Sequence, residues 1–328
     1  MDAQAIVDAL ERVEGYQQTA VVAAAVRTGV ADALAGGADT AEELARVCGC
    51  DARGVRALLG ALCALGLAER EEERFCLSDQ GAVLARSHPN TIALIVEKEW
   101  FFYRAWAGLD ETVRDGHARI APWRERLHRD RQQSLDFLRA LDDLAARFGG
   151  ELAELAGTLP AGRLLDAGGG AGSHAARLVA ASRGLQATVL DLPAVEHVLR
   201  ERHPELAFLA GDLDEPRFGL PAGEQWDVVL LANVLHDQPE SHGRRIVRET
   251  AGLLRPGGML LAYEWVLDEH RDAPAAVAMF ALMMMVENEG GAAYTEAELT
   301  SWLAEAGFDE IELRRGFGPI AVLRAIRP

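Results

Sequence analysis

The chain predicts an α/β fold, a parallel sheet with helices on both faces, preceded by a largely helical domain. Three observations carry that prediction. From Arg163 onward, short apolar runs alternate with helical stretches, the pattern left when each parallel strand needs a crossover helix to reach the next. The first of these runs, Leu164-Leu-Asp166, breaks at once into Ala-Gly-Gly-Gly-Ala-Gly172, a glycine loop at a strand end. Ahead of it, apolar residues recur at helical spacing through most of the first 150 positions. At 328 residues the chain has room for two domains, or for one with a large helical addition. We expect three parts: a helical domain at 1–90, a helical connecting segment at 91–150 and an α/β domain at 151–328.

From the N-terminus, Ile6, Leu10, Val13, Val21, Val22, Val26 and Val30 follow a helical period that ends at Gly36-Gly37. Asp39 or Thr40 can cap the next helix, and another opens near Asp51, runs through Leu58, Leu59, Leu62 and Leu65, and stops at Gly66. Residues 67–77 read as two short strands around a charged tip, and Ser78-Asp79 opens a further helix. Helix, helix and two-stranded wing make a winged-helix pattern. A DNA reader would carry a basic wing, whereas this tip sets Glu69, Glu71, Glu72 and Glu73 against Arg70 and Arg74, within a chain of net charge -18. No nucleic-acid partner is therefore expected, and subunit contact in a homodimer is the role assigned to this domain. The apolar stretch at 20–26 is too short to span a bilayer, so no membrane partner is expected either. Cys48, Cys50, Cys63 and Cys76 lack the spacing of a zinc or redox pair; they read as reduced thiols, in keeping with a cytoplasmic location.

Residues 91–150 are helical by pattern and hold an aromatic knot around Trp100, Tyr103 and Trp106. Such a cluster serves either as core or as the wall of a substrate pocket. Strands follow at 163–166, 187–191, 206–210, 226–231 and 259–264. After a last helix at 296–306, runs at 310–314 and 320–326, separated by Gly316 and Gly318, suggest a closing hairpin.

Glycines such as Gly168 and Gly170 let a backbone turn sharply and approach a ligand closely. Gly170, Gly172 and Ala175 also satisfy a loose dinucleotide fingerprint, G-x-G-x-x-A. Asp191, at the end of the second strand, suits the two hydroxyls of an adenosine ribose in either class of cofactor. Asp212 and Leu213, after the third strand, can flank an adenine ring, and a nicotinamide enzyme has no general need for that second acid. Asp166 can bond the loop amides or meet a ligand's amino group.

With these motifs in view, the chain resembles the class I small-molecule O-methyltransferases of plant phenolic and bacterial antibiotic pathways. The resemblance rests on Gln18-Thr19-Ala20, Leu77-Ser78-Asp79, D-A-G-G-G-A-G from Asp166, Asp191-Leu-Pro193, Gly211-Asp212, Leu231-Ala-Asn-Val-Leu-His236-Asp237, Leu254-Arg-Pro-Gly-Gly258, and Gly290-Gly291 with Thr295-x-x-Glu298. It implies a Rossmann-like seven-stranded sheet with the last strand antiparallel, an intertwined homodimer, an acceptor pocket between domains and S-adenosylmethionine as methyl donor. It further implies that Asp166, Gly168, Gly170, Asp191, Leu192, Asp212, Leu213 and Asn233 hold the cofactor. His236 would be the general base, and Glu264 an acid that orients the base or its substrate, or else a solvated strand-end carboxylate. Trp100, Tyr103, Trp106, Asp237, Met283, Glu287 and Asn288 are the acceptor-side candidates, with no metal called for. A phenol, with a pKa of about 10, is largely neutral at neutral pH, and an imidazole of about 6.5 can take its proton as methyl transfer proceeds.

The family pattern is broken in two places. Gln238-Pro239 stands where tryptophan follows Leu-His-Asp, and Ala293 stands where a second acid flanks the base. Glu287 and Glu289 lie just upstream and can compensate, or can simply form a polar helix end. Carbon and nitrogen methylation, a non-methylating relative and a ligand-sensing regulator therefore stay open beside transfer to a hydroxyl.

Overall fold

The computed structural model describes residues 3–328. The chain divides into two compact units, Met1–Arg104 and Ala105–Pro328.

In the first unit the apolar period of the N-terminus is not one helix but three, Ala3–Glu14, Tyr16–Arg27 and Val30–Ala35, interrupted at Gly15 and at Gly29, which adopts a left-handed backbone. Side-chain caps set the later helix starts: Thr40 accepts from the Glu43 N–H, Asp51 from the Gly54 N–H and Ser78 from the Gly81 N–H, each satisfying an amide that the first turn leaves unpaired. The wing is an antiparallel pair, β1 (Ala68–Glu71) and β2 (Arg74–Leu77). Leu44, Leu59, Leu62 and Phe75 are among the buried residues of the two helical cores.

The second unit carries the sheet. Its strands are β3 (Gly162–Ala167), β4 (Leu185–Asp191), β5 (Ala207–Ala210), β6 (Trp226–Ala232), β7 (Leu254–Leu267), β8 (Tyr294–Thr295), β9 (Asp309–Arg315) and β10 (Ile320–Ile326). The spatial order is β5-β4-β3-β6-β7-β10-β9. The first five are parallel and β10 runs antiparallel to both β7 and β9, so the seven-stranded sheet with a reversed last strand is as the family resemblance implied. The two-residue β8, which pairs with β7 at Val266 and Leu267, was not anticipated; a two-residue ladder leaves no periodicity to read.

Alternation along the strands splits the apolar side chains between two cores. Leu165, Val229, Leu231 and Leu260 pack on one face with Ile246 and Trp302, while Leu164, Val228, Leu230 and Leu261 pack on the other with Leu152 and Leu178. Both faces are covered, which is why these strands read as continuous apolar runs. The strand order reverses between β3 and β6, so the loops after these two strands diverge and open a crevice at their carboxyl ends, where open α/β sheets bind ligands. Among the described residues, no helix is long and apolar enough to cross a membrane.

Candidate active site

Two clusters of buried polar groups occupy the carboxyl end of the sheet. The first is built around the loop after β3. Asp166 is wholly buried, and neither carboxylate oxygen has a hydrogen-bond partner. The Ala175 N–H is the one amide that acts on it, without reaching hydrogen-bond geometry. Burial first, and the charge of Asp191 second, push its pKa up to about 7. Gly169 lies directly against it: a Cβ there would sit 2.4 Å from the Asp166 Cγ, so only glycine allows this approach.

Asp191, at the end of β4, is better supplied. Gly170 donates its N–H to Oδ2 at 2.9 Å, and the Leu192 N–H donates to Oδ1 at 2.7 Å. Burial nonetheless outweighs these bonds and raises its pKa to about 6. Gly168 is left-handed at φ 77°, and a Cβ on it would meet Leu213 and Val234 at 3.1 Å. Leu213 and Val234 therefore bound the space above the loop. Asp212 is paired with the guanidinium of Arg124, which also reaches Asp214 at 3.0 Å. That pairing and the Asp214 N–H outweigh burial and hold the Asp212 carboxyl below its usual range.

Asn233 closes this cluster from the end of β6. Its backbone is left-handed at φ 56°, and its N–H donates to the Tyr263 carbonyl at 2.9 Å. Its Oδ1 is buried without a partner, and its Nδ2 lies 3.4 Å from Nε2 of His174. Strain of this kind in a non-glycine residue is commonest where a binding site holds it in place.

The second cluster surrounds His236, which follows β6 in a short 3-10 turn, Leu235–Asp237. Glu264, on the neighbouring β7, is 1% exposed, so it is not the solvated strand-end carboxylate that the sequence left open. Its Oε1 accepts the N–H groups of Val234 at 2.8 Å and Leu235 at 2.6 Å, and its Oε2 stands 2.6 Å from Nδ1 of His236. One carboxylate thus fixes both the turn and the ring. With Nδ1 donating to Glu264, the neutral ring keeps its lone pair on Nε2. Burial disfavours the imidazolium, but the carboxylates of Glu264, Asp237 and Glu287 outweigh it and lift the pKa to about 9. Phe280 meets the imidazole edge-on at 4.8 Å between centroids, and Trp265 stacks on Phe280 at 4.3 Å.

Asp237 Oδ1 lies 3.6 Å from His236 Nε2 and accepts from Nδ2 of Asn288 at 2.8 Å. Glu287, at the end of the helix Ala275–Glu287, is buried and pairs with Arg126 at 3.0 Å. Burial and the nearby Asp237 charge raise its carboxyl to about 7 despite Arg126. Ala293 sits in an apolar cluster with Leu267 and Val277 at 1% exposure, which has no place for a carboxylate. Among the described residues, no group of three or more His, Cys, Asp or Glu side chains is arranged to hold a metal ion.

The structure therefore brings Asp166, Gly168, Gly170, Asp191, Leu192, Leu213 and Asn233 around the β3 loop, with Asp212 at its edge. It brings Glu264, Asp237, Asn288 and Glu287 around His236. Met283 lies half-buried one turn beyond Phe280 on the same helix. Trp100 and Tyr103 belong to the first unit, where they stack on each other at 4.8 Å; Trp106 ends the helix Ala93–Trp106. Sequence reasoning missed Arg124 and Arg126, which lie in an arginine-rich stretch that marks neither of them out, and Trp265.

Comparison with known proteins gives the two units their counterparts. A family model of the O-methyltransferase domain matches residues 106–309, and a model of the O-methyltransferase dimerisation domain matches residues 10–87. The chain is 30% identical to the 3-hydroxy-5-methyl-1-naphthoate 3-O-methyltransferase of Streptomyces sahachiroi, over 93% of this chain and 90% of that one. It is 29% identical to the acetylserotonin O-methyltransferase of Mus musculus, over 97% and 87%. The solved structure of an O-methyltransferase family protein from Burkholderia thailandensis superposes with a TM-score of 0.87 at 25% identity, covering 98% of each chain. The winged N-terminal domain, the seven-stranded sheet and the histidine bound to a strand-end glutamate thus sit in a chain that belongs to the O-methyltransferase family.

Proposed function

We propose that this protein transfers the methyl group of S-adenosylmethionine to a hydroxyl of a small aromatic or polyketide-like molecule, with His236 as general base. The observation that carries the reading is the hydrogen bond that Nδ1 of His236 donates to Glu264, which commits one ring nitrogen and leaves the other to accept a proton. Two of the relatives above are named for transfer to oxygen on fused aromatic systems, a naphthoate and an acetylserotonin, and that supports the choice of acceptor class.

The residues of the β3 loop suit such a donor. Its ammonium matches the unpartnered oxygens of Asp166 and Asn233, where a cation would relieve the cost of a bare buried carboxylate. Its ribose hydroxyls match Asp191, whose orientation the Gly170 and Leu192 amides hold. Leu192, Leu213 and the side-chain-free backbone of Gly168 suit the adenosine, with Asp212 at its polar edge. S-adenosylmethionine supplies a methyl group already activated on a sulfonium, so the protein has only to align the nucleophile and take one proton. As the acceptor oxygen bonds to the methyl carbon, its O–H bond breaks and the proton moves to Nε2 of His236. Glu264 stabilises the imidazolium formed. Phe280 and Met283 offer apolar surface to the acceptor ring, and Asp237, Asn288, Glu287 and Trp106 remain the acceptor-side candidates.

A homodimer goes with this reading. On the helix Ala3–Glu14, Ile6, Leu10 and Val13 are 47%, 53% and 70% exposed, an apolar face that a second copy would cover. The wing does not suit nucleic acid, since Arg70 and Arg74 are engaged by Glu73 and Asp39. All four cysteines are free thiols, as suits the cytoplasm.

The test is incubation with S-adenosylmethionine and a panel of phenols, anilines, indoles and keto acids, read by mass spectrometry of the products. A methyl group gained on phenolic oxygen is the expected result. Methylation confined to carbon or nitrogen would overturn the acceptor assignment, and absence of donor binding in calorimetry would overturn the reading as a whole.

A further inference from the structure

Position 293 cannot supply a second acid to the base, because Ala293 is packed among Leu267 and Val277. A different carboxylate, Glu287, stands at the start of the segment that is hydrogen-bonded to the His236 turn. Glu287 ends the helix Ala275–Glu287, and the backbone beyond it is tied to the base turn: the Ala292 N–H donates to the His236 carbonyl at 2.9 Å, and Asn288 donates to Asp237 at 2.8 Å. Before Glu287, the Val286 carbonyl accepts from the Arg119 N–H at 2.8 Å. The side chain itself is gripped by Arg126 from the helix Trp123–Arg129, and the guanidinium lies over the rings of Trp123 and Phe137 at 5.1 and 5.3 Å. Both members of the pair are largely buried, with side chains 13% and 8% exposed.

A buried ion pair is a poor way to gain stability, since removing two charges from water costs about as much as their attraction returns, and apolar replacements are often neutral or better. This one sits beside a base whose usual second acid is missing. We propose that Glu287, clamped by Arg126, is the second positioning carboxylate of His236, acting in concert with Asp237 on the side of the ring opposite Glu264. The inference rests on the reading of His236 as the base. The charged groups around Glu287 are Arg126 from the helix Trp123–Arg129, Asp237 and His236 from the turn, and, behind them, Glu264 from β7. Glu287 and Asp237 together make the acceptor side more favourable to imidazolium, and Arg126 offsets part of the rise that burial and Asp237 impose on Glu287, so that it is ionised over the alkaline range in which His236 titrates.

The test compares wild type, Glu287→Gln and Glu287→Asp in the pH profile of kcat/KM with a neutral phenol. It is paired with an NMR titration of the His236 ring in protein without substrates. In Glu287→Gln we expect the titration to move about one pH unit toward acid, the acid limb of the profile to move with it, and the plateau to fall about three- to tenfold, as a weaker base requires. The donor dissociation constant should stay within about twofold. Glu287→Asp should restore both the titration and the limb. If Glu287→Gln does not fold, Arg126→Met with Glu287→Met removes both charges together, and a smaller shift in the same direction is expected. A purely structural Glu287 would lower activity equally at every pH with His236 titrating as in wild type, and that result overturns the proposal. Should His236→Gln keep the wild-type profile, the base assignment fails instead; the NMR titration still decides whether Glu287 acts on the ring.

Discussion

The two ends of the crevice each bury a carboxylate at the tip of a strand, and they treat it in opposite ways. Glu264 is 1% exposed and has every obligation met, by two backbone amides and an imidazole. Asp166 is equally buried and has no partner for either oxygen. A satisfied carboxylate makes its surroundings rigid, whereas an unsatisfied one carries a free-energy cost that a proton or an incoming cation relieves. On the proposed reading, the His236 end is fixed before substrates arrive, and the Asp166 end is completed by the donor it binds.

The sharpest way to break this contrast is to remove one proton acceptor from each end. Glu264→Gln replaces the acceptor of the His236 Nδ1 proton with an amide that can present N–H instead, which favours the wrong tautomer. We expect a loss of about 10³-fold or more in kcat, by analogy with loss of the orienting acid in a hydrolase triad, with donor affinity little changed; calorimetry and steady-state kinetics separate the two. A variant that kept wild-type kcat would mean that Glu264 serves only the turn.

Asp166→Asn should behave in the reverse manner. Donor affinity should fall about ten- to a hundredfold with the loss of a charge-assisted contact, while the free protein becomes more stable. The sign follows from the folded pKa of about 7, raised from 3.8. Folding favours the protonated acid, so the wild-type penalty is absent below about pH 4, grows as pH rises through 7, and is complete above it. Thermal unfolding of the two proteins should therefore coincide in acid and diverge at pH 8, with the variant higher by a few kcal/mol at most. Equal melting at pH 8 would show that the buried carboxylate carries no such cost.

A gentler probe is pH itself. With the folded pKa of His236 at about 9, only the neutral fraction can accept a proton. Hence kcat/KM should rise about tenfold per pH unit across neutrality and level off toward pH 9. A flat profile between pH 6 and 8 would sever the base from this histidine. The same shift makes the ring a stabilising group that contributes fully below its unfolded pKa of about 6.5 and is lost as pH passes 9. The smallest expected effect belongs to Gly168→Ala. Its φ of 77° and the 3.1 Å contacts a Cβ would make with Leu213 and Val234 predict a loss of about 1–2 kcal/mol in stability and a modest weakening of donor binding.

Much of the donor end was legible because its parts are local. The strand, the glycines and the acid at the next strand end follow one another within about 25 positions, and each announces itself by periodicity or by a backbone requirement. At the base end, the sequence marked His236 and Glu264 but left the carboxylate's burial open, since exposure at a strand tip depends on what packs over it. The aromatic residues Trp100 and Tyr103 were marked as a pocket wall or core, and within their own unit they stack together.

By itself, then, the sequence determined the alternation of strands and helices, the closing hairpin, the glycine turn and the acids at the strand ends. These depend on backbone geometry and on the repeat of apolar residues along short stretches. Only the tertiary structure decided that Asp166 is left bare, that Ala293 lies in an apolar core, and that Glu287 meets Arg126 across 161 positions of chain. Such pairings are set by how distant helices close over the sheet, and no local pattern of residues encodes which of several arginines will be the one that arrives.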